Sequence, residues 1–257
     1  MSPSARDGDE STDPDSPSEA GRSKAAVRER IWDALEDSGA ARFPYPPHGR
    51  IPNVADAGDA AERLADTSRW AAARTVKANP DAPQLPVRRR ALRDGKRLYV
   101  AVPRLRDERC FLELDPSKID DYDGATTVSG ISEYGVPRSP ADLPRIDLIV
   151  SGSVAVSEAG ARIGKGEGYS DLEWAILRAF DRVDDATTVA TTVHERQLVE
   201  SIDADAHDVT MDLVVTPERV IETGGASQPD GIDWAALSPE RRDEIPILSA
   251  LERDPPV

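Results

Sequence analysis

Apolar positions follow two rhythms along this chain. Continuous, β-branched runs occur at Leu148-Ile149-Val150, at 98–102, at 187–193 and at Leu213-Val214-Val215-Thr216. Short runs of this kind, bounded by charge or glycine, read as strands buried on both faces. Residues 74–78 and 219–222 add two more strands. Between the runs the spacing changes to three and four. Val27, Ile31, Ala34 and Leu35 form a stripe over 24–38, with Ser23 to cap it and Gly39 to stop it. Ala60, Leu64 and Trp70 mark one amphipathic helix over 56–72, and another lies near 86–94. Leu172, Ile176, Ala179, Phe180 and Val183 mark a further helix. Ser170 and Glu173 form a capping-box pattern that sets its start at Asp171. Residues 107–144 read as acidic, Pro- and Gly-rich connections with one short helix near 116–122. Strand and helix alternate, so the pattern predicts an α/β fold, a three-layer sandwich around a mostly parallel sheet.

Composition divides the chain. Residues 1–22 are rich in Ser, Pro, Asp and Glu and lack large apolar side chains, which predicts an acidic disordered tail. Residues 23–257 suffice for a single domain with a full core. The formal net charge is -16. That balance argues against a nucleic-acid-binding face, which needs a basic patch. Together with the small apolar residues, it suits a salt-rich, halophile-like cytoplasm. Cys110 is the single cysteine, so no disulfide closes within the chain and a thiolate zinc site is excluded. His48, His194 and His207 lack metal-ligand spacing. With no apolar segment of about twenty residues and no signal-like N-terminus, a cytoplasmic protein without a membrane partner is expected.

The candidate chemistry lies between the run at 148–150 and the helix that follows it. Gly164, Gly166 and Gly168 alternate there with Arg162 and Lys165 nearby. Strand, glycine-rich basic loop and helix N-terminus make an anion site, because backbone N–H groups approach closely and the helix adds partial positive charge. The loop is not a Walker loop, since no Ser or Thr follows Gly164-Lys165, and its every-second-residue glycines are not the dinucleotide fingerprint. The competing reading is a flexible turn that needs positive φ. Asp171 is a carboxylate beside the expected phosphates, suited to Mg²⁺. Lys24 and Arg28, four apart, share one helix face. They form either a solvated face or an anion contact. Arg104 and Arg106 follow a strand's carboxyl end, where open α/β sheets bind ligands.

The stretch Arg162-Ile163-Gly164-Lys165-Gly166-Glu167-Gly168-Tyr169-Ser170-Asp171 resembles the R-L-G-x-G-x-G-Y-Y-D signature of the 5-formyltetrahydrofolate cyclo-ligase (methenyltetrahydrofolate synthetase) family. GSVAVSEAGARIGKGEGYSDLEWA, and 43–53 with its F-P-x-P-x-H-x-R-I-P-N pattern, are similar to the methenyltetrahydrofolate synthase domain-containing branch. Gln197-Leu198-Val199, His207-Asp208 with Asp212, and Thr216-Pro217 match further family segments, so the resemblance runs from about Lys24 to Leu248. Ser170 departs from it, standing where the signature has a second tyrosine.

The resemblance implies a cyclo-ligase-like fold related to that of sugar-phosphate isomerases and CoA transferases. It implies ATP-dependent closure of 5-formyltetrahydrofolate to methenyltetrahydrofolate, with ADP and phosphate released and Mg²⁺ required. Arg162 and Lys165 would then stabilise phosphate charge as the catalytic pair. Gly164, Gly166, Glu167, Gly168 and Tyr169 would complete the ATP-binding loop, with Lys24 and Arg28 on outer phosphates and Asp171 on the metal. Tyr169 and Asp81 would face the substrate, a reduced folate or pterin. Asp81 replaces the family's glutamate, and its alternative use is as a turn former or helix cap. The segment 43–53 either offers Tyr45 or His48 to the pterin ring or is a structural strap. The departures at Ser170 and Asp81 leave open a non-catalytic nucleotide- or folate-binding regulatory protein. No RNA-recognition domain follows, so no RNA role is expected.

Overall fold

The computed structural model describes residues 23–225 and 227–253. The tail expected at 1–22 lies outside these. The helices are α1 (Lys24–Asp37), α2 (Ala57–Ala65), α3 (Ser68–Ala72), α4 (Leu85–Arg93), α5 (Tyr122–Ala125), α6 (Val128–Tyr134), α7 (Tyr169–Ala179), α8 (Pro239–Glu244) and α9 (Pro246–Arg253). The strands are β1 (Thr75–Ala78), β2 (Arg97–Ala101), β3 (Phe111–Leu114), β4 (Val136–Arg138), β5 (Leu148–Val150), β6 (Ala155–Ser157), β7 (Arg162–Ile163), β8 (Thr188–Thr192), β9 (Leu198–Val199), β10 (Leu213–Val215) and β11 (Val220–Glu222).

Eight strands form the main sheet in the order β11-β10-β8-β5-β1-β2-β3-β4. The five from β10 to β2 are parallel, and antiparallel strands close both edges. The mostly parallel α/β sheet read from the sequence is therefore the one observed. Side-chain alternation assigns the two faces. Val76, Ala78, Leu98, Val100, Leu148 and Val150 pack toward α2 and α4. Tyr99 and Ile149 face the other way, toward Leu172, Trp174, Ile176 and Leu177 of α7 and Leu248 and Leu251 of α9. Lys77 is in register with Tyr99 and Ile149, so a lysine points from the middle of the sheet at α7.

A second sheet, β7-β6-β9, sits beside the first, and α1 covers it through Val27, Ile31, Trp32 and Leu35. Leaving β5, the chain passes straight into this small sheet, and β7 then delivers the glycine-rich loop to α7.

Three local readings need correction. The helix expected over 56–72 is two helices, because Thr67 caps a new start by accepting from the Trp70 N–H at 3.2 Å. α7 begins at Tyr169, and its N-cap is Gly168 in the left-handed region at φ 68. The Ser170–Glu173 capping box does not form: Ser170 Oγ accepts from Asn79 Nδ2 at 3.1 Å, while Glu173 is drawn into a buried ion pair with Lys77. Residues 107–144 hold β3, β4, α5 and α6 besides a 3-10 turn at Pro116–Lys118.

Candidate active site

A cavity of about 320 Å³ opens at the carboxyl end of the parallel strands, the usual ligand position in such sheets. The turn after β1 supplies Asn79, Pro80 and Asp81; the residues after β2 supply Val102, Pro103 and Arg104. The end of β7, the glycine-rich loop, the first turn of α7 and Ile51 complete the wall.

Four cations converge on that loop in a chain of net charge -16. Arg162 is the last but one residue before Gly164, and it lies in β7, not in the loop proper. Its Nη1 donates to the Gly152 carbonyl at 2.9 Å and its Nη2 to Asp171 Oδ1 at 2.8 Å. Among the described residues its buried Nε has no hydrogen-bond partner, an unmet donor inside the site. Arg28 Nε donates to the Gly164 carbonyl at 2.6 Å. Burial and the nearby Arg162 draw the Arg28 pKa down, against the pull of Asp208. Lys165 lines the cavity and pairs with Glu167 at 2.8 Å. Arg241 of α8 reaches the loop from the far end of the chain. It donates to the Glu167 carbonyl at 2.5 Å and to Tyr169 Oη at 2.9 Å, with its guanidinium 4.0 Å from the Tyr169 ring centroid.

The glycines are used for conformation and for space. Gly166 has φ 106, and a Cβ there would sit 3.5 Å from the Arg28 guanidinium. A Cβ on Gly164 would stand 3.0 Å from Arg162 Nη1. The amides of the first turn of α7 lack intrahelical acceptors, as at any helix start, so they are available to an anion.

The carboxylates divide between two sides. Asp81 lines the first cavity, and its side chain makes no capping bond. Burial pushes its carboxyl above the usual range, against Lys165, Arg88 and Lys77. Arg88, itself buried, shapes this turn by donating to the Asn79 carbonyl at 2.6 Å and the Asp81 carbonyl at 2.9 Å. Its burial lowers its pKa to about 10. Asp171 accepts from the Val209 N–H at 3.1 Å as well as from Arg162, which places it beside Asp208. Asp205, His207 and Asp208 bring their ligand atoms within 4.8 Å of one another.

Lys24 is placed differently from the expectation. It pairs with Asp205 and Asp208 and lines neither of the two cavities that flank the loop. Burial disfavours its charge, but the two carboxylates outweigh that and raise its pKa. Tyr45 and His48 are also outside the site. Tyr45 Oη bonds the Ala41 carbonyl, and His48 bonds Asp33 and packs on Trp32. The proline-rich segment is a strap, and Ile51 is its one residue in the cavity wall.

Sequence reasoning missed Lys77, Glu173, Asn79, Arg88 and Arg241. A lysine inside the β-prone run of β1 was the available signal for the first pair. Nothing local marks Arg241.

A parallel-sheet α/β fold with a basic, glycine-rich strand–loop–helix site at the carboxyl end of the strands defines the class. The profile of the 5-formyltetrahydrofolate cyclo-ligase family matches residues 20–217, and the chain belongs to that family. It is 44% identical over 237 residues to the methenyltetrahydrofolate synthase domain-containing protein of Mus musculus, covering 90% of this chain and 63% of that one. The human protein of that name is 40% identical over 241 residues, covering 91% and 63%. The chain thus spans under two thirds of the length of these relatives. The 5-formyltetrahydrofolate cyclo-ligase of Mycolicibacterium smegmatis is 31% identical over 126 residues, covering 48% and 61%. The solved structure of Aquifex aeolicus 5,10-methenyltetrahydrofolate synthetase shares the fold, with TM-score 0.50 at 17% identity, covering 80% of this chain and 95% of that one.

Proposed function

We propose that this chain converts 5-formyltetrahydrofolate to methenyltetrahydrofolate at the expense of ATP, releasing ADP and phosphate. The observation that carries the reading is the convergence of Arg28, Arg162, Lys165 and Arg241 on one glycine-rich loop in an otherwise acidic protein. Phosphoryl transfer asks mainly for positioning and charge stabilisation, which such a cradle supplies.

In this reaction the formyl oxygen attacks the γ-phosphorus and ADP leaves. The neighbouring folate N–H nitrogen then attacks the activated carbon and gives up its proton, and phosphate departs with the former formyl oxygen. Arg162 and Lys165 stabilise the transferring phosphate, and Gly164, Gly166, Glu167, Gly168 and Tyr169 hold the polyphosphate chain. Arg28 braces the loop through the Gly164 carbonyl and faces the outer phosphates. Lys24, tied to Asp205 and Asp208, acts on those phosphates only through the field it shapes. Asp81 lies in the first cavity, where the folate ring would sit. The carboxylate of Asp171, beside the loop and paired with Arg162, is a hard oxygen donor that fits Mg²⁺. Bound there, Mg²⁺ would neutralise phosphate charge. A cytoplasmic location accords with folate chemistry, and no helix among the described residues is long and apolar enough to cross a membrane.

The test is absorbance in the near ultraviolet, where methenyltetrahydrofolate appears. Its rise must require both ATP and Mg²⁺. Lys165→Ala is expected to lower kcat/KM by about a hundredfold or more with the melting temperature unchanged. Wild-type kcat/KM in that variant would refute the assignment. A second reading, a non-catalytic nucleotide or folate binder, is favoured by Ser170 being occupied with Asn79 and by the shorter Asp81. ATP binding in calorimetry without an absorbance rise would establish it.

A further inference from the structure

The region matched by the family profile ends at residue 217, yet the fold does not. The chain beyond β11 returns across α7. Trp174 Nε1 donates to the Pro229 carbonyl at 3.0 Å. Ile245, Ile247, Leu248 and Leu251 are all buried in the core formed by α7 and the main sheet. Arg242 bonds the carbonyls of Leu237 and Trp234, and Ser238 caps α8. Arg241 is therefore carried on an anchored segment. Its guanidinium covers the Tyr169 ring, bonds Tyr169 Oη and bonds the Glu167 carbonyl. It also has Glu244 at 3.9 Å. Between the segment and the loop lies a second cavity of about 400 Å³, lined by Gly166, Gly168, Leu172, Ile232, Leu237 and Arg241 among others.

A loop rich in glycine must lose more conformational freedom than others to hold one shape. Gly166 and Gly168 take positive φ, one of several regions open to glycine, so contacts from outside the loop select this shape. Arg28 fixes the loop at Gly164, before its tip; Arg241 fixes it at Glu167 and Tyr169, after the tip. We propose that the segment 229–253 is part of the site and that Arg241 is a positioning residue, which holds the glycine-rich loop in the shape that receives a nucleotide polyphosphate. This rests on the nucleotide reading above. The planar fork matters, since one guanidinium serves the ring, the hydroxyl and the carbonyl together.

Hydrogen exchange of the ligand-free chain reads the loop without relying on any activity. In Arg241→Ala the amides of 164–169 are expected to exchange about tenfold faster or more, from the loss of a cation–π contact and charged hydrogen bonds. Residues 229–238 and 245–253 are expected to keep their protection. Arg241→Lys, which keeps a cation but not the fork, falls between. In the ring-closing assay Arg241→Ala raises the KM for ATP about tenfold and moves that for the folate by less than about twofold. Unchanged loop exchange in Arg241→Ala overturns the proposal. So does acceleration spread evenly over 229–253, which reports a loosened segment and no specific hold on the loop. If the unmodified chain binds no ATP, the nucleotide reading fails, and the exchange comparison still decides whether Arg241 holds the loop.

Discussion

Replacing Lys77 by methionine tests the interior on which the site stands. Lys77 and Glu173 pair between the middle of the sheet and α7, with side chains 1% and 6% exposed. Glu173 also lines the first cavity. Lys77→Met keeps the volume and removes the counter-charge, leaving a buried carboxylate whose other partner is Asn79 Nδ2 at 3.5 Å. Stranding one member of a buried pair costs about 3–5 kcal/mol. For a chain of this size each kcal/mol moves the melting temperature by about 2–4 °C, so the expected loss is about 6–20 °C. Removing both charges in Lys77→Met/Glu173→Met leaves neither group unpaired, and such swaps are often neutral or stabilising by about 1–4 kcal/mol. The double variant should therefore melt above the single one. Calorimetry and urea unfolding on the three proteins, at constant salt, give the comparison. A single variant within about 1 kcal/mol of wild type, or a double variant less stable than the single, would refute this account of the pair.

Asp81 predicts a pH dependence. Burial raises its carboxyl pKa, so the folded chain holds that proton more tightly than the unfolded chain does. Its contribution to stability is full below the ordinary carboxylate pKa and is lost as pH rises through the folded value. Asp81→Asn should thus gain stability over wild type at neutral pH and lose that advantage on acidification; a difference constant from pH 7 to pH 3 would contradict it. Cys110 is fully buried, and burial pushes its thiol up to about 12, so it should resist thiol reagents in the native protein and react in denaturant. Rapid native labelling would count against that environment. Asp171→Ala should destabilise as well as inactivate, because it deprives buried Arg162 of its carboxylate partner, whereas Asp171→Asn retains an acceptor for the Val209 N–H. Equal melting temperatures for the two variants would contradict the pairing.

The central sheet was legible because most of its strands are continuous apolar or β-branched runs, and buried parallel strands have few other ways to be written. The edge was not. Phe111–Leu114 is buried at all four positions although one is Glu113, whose charge is met by Arg97 and Arg138 from neighbouring strands. β4 contains a proline, and the strands of the small sheet are two or three residues long, too short for any period to show. At the site, the loop was legible as a spacing of glycines and cations. The start of α7 was misread because Ser170 and Glu173 look like a local capping pair, while the fold spends both on partners from β1 and the residue after it. The carboxylate partners of Lys24 were not legible for a related reason: Asp205 and Asp208 lie 181 and 184 residues away. Arg241 offers no local pattern, since its meaning depends on a loop 72 residues earlier.

The order of strands also sets a condition on how the chain reaches this state. β1 and β5 lie side by side at the heart of the sheet, yet Thr75 and Asp147, which tie their ends, are 72 residues apart. The intervening chain forms the β2–β3–β4 edge, whose antiparallel pairs are closed by nearer contacts. The centre therefore has to be joined by a long search after one edge is able to form locally. Contacts of that range make folding slow. Until β5 docks, Lys77 of β1 has no α7 and no Glu173 to receive it, although α2 and α4 can already cover the opposite face, and the turn carrying Asp81 has no facing wall. The glycine-rich loop and the middle of the sheet should be completed together, so that a chain with an ordered loop has already passed its slowest step.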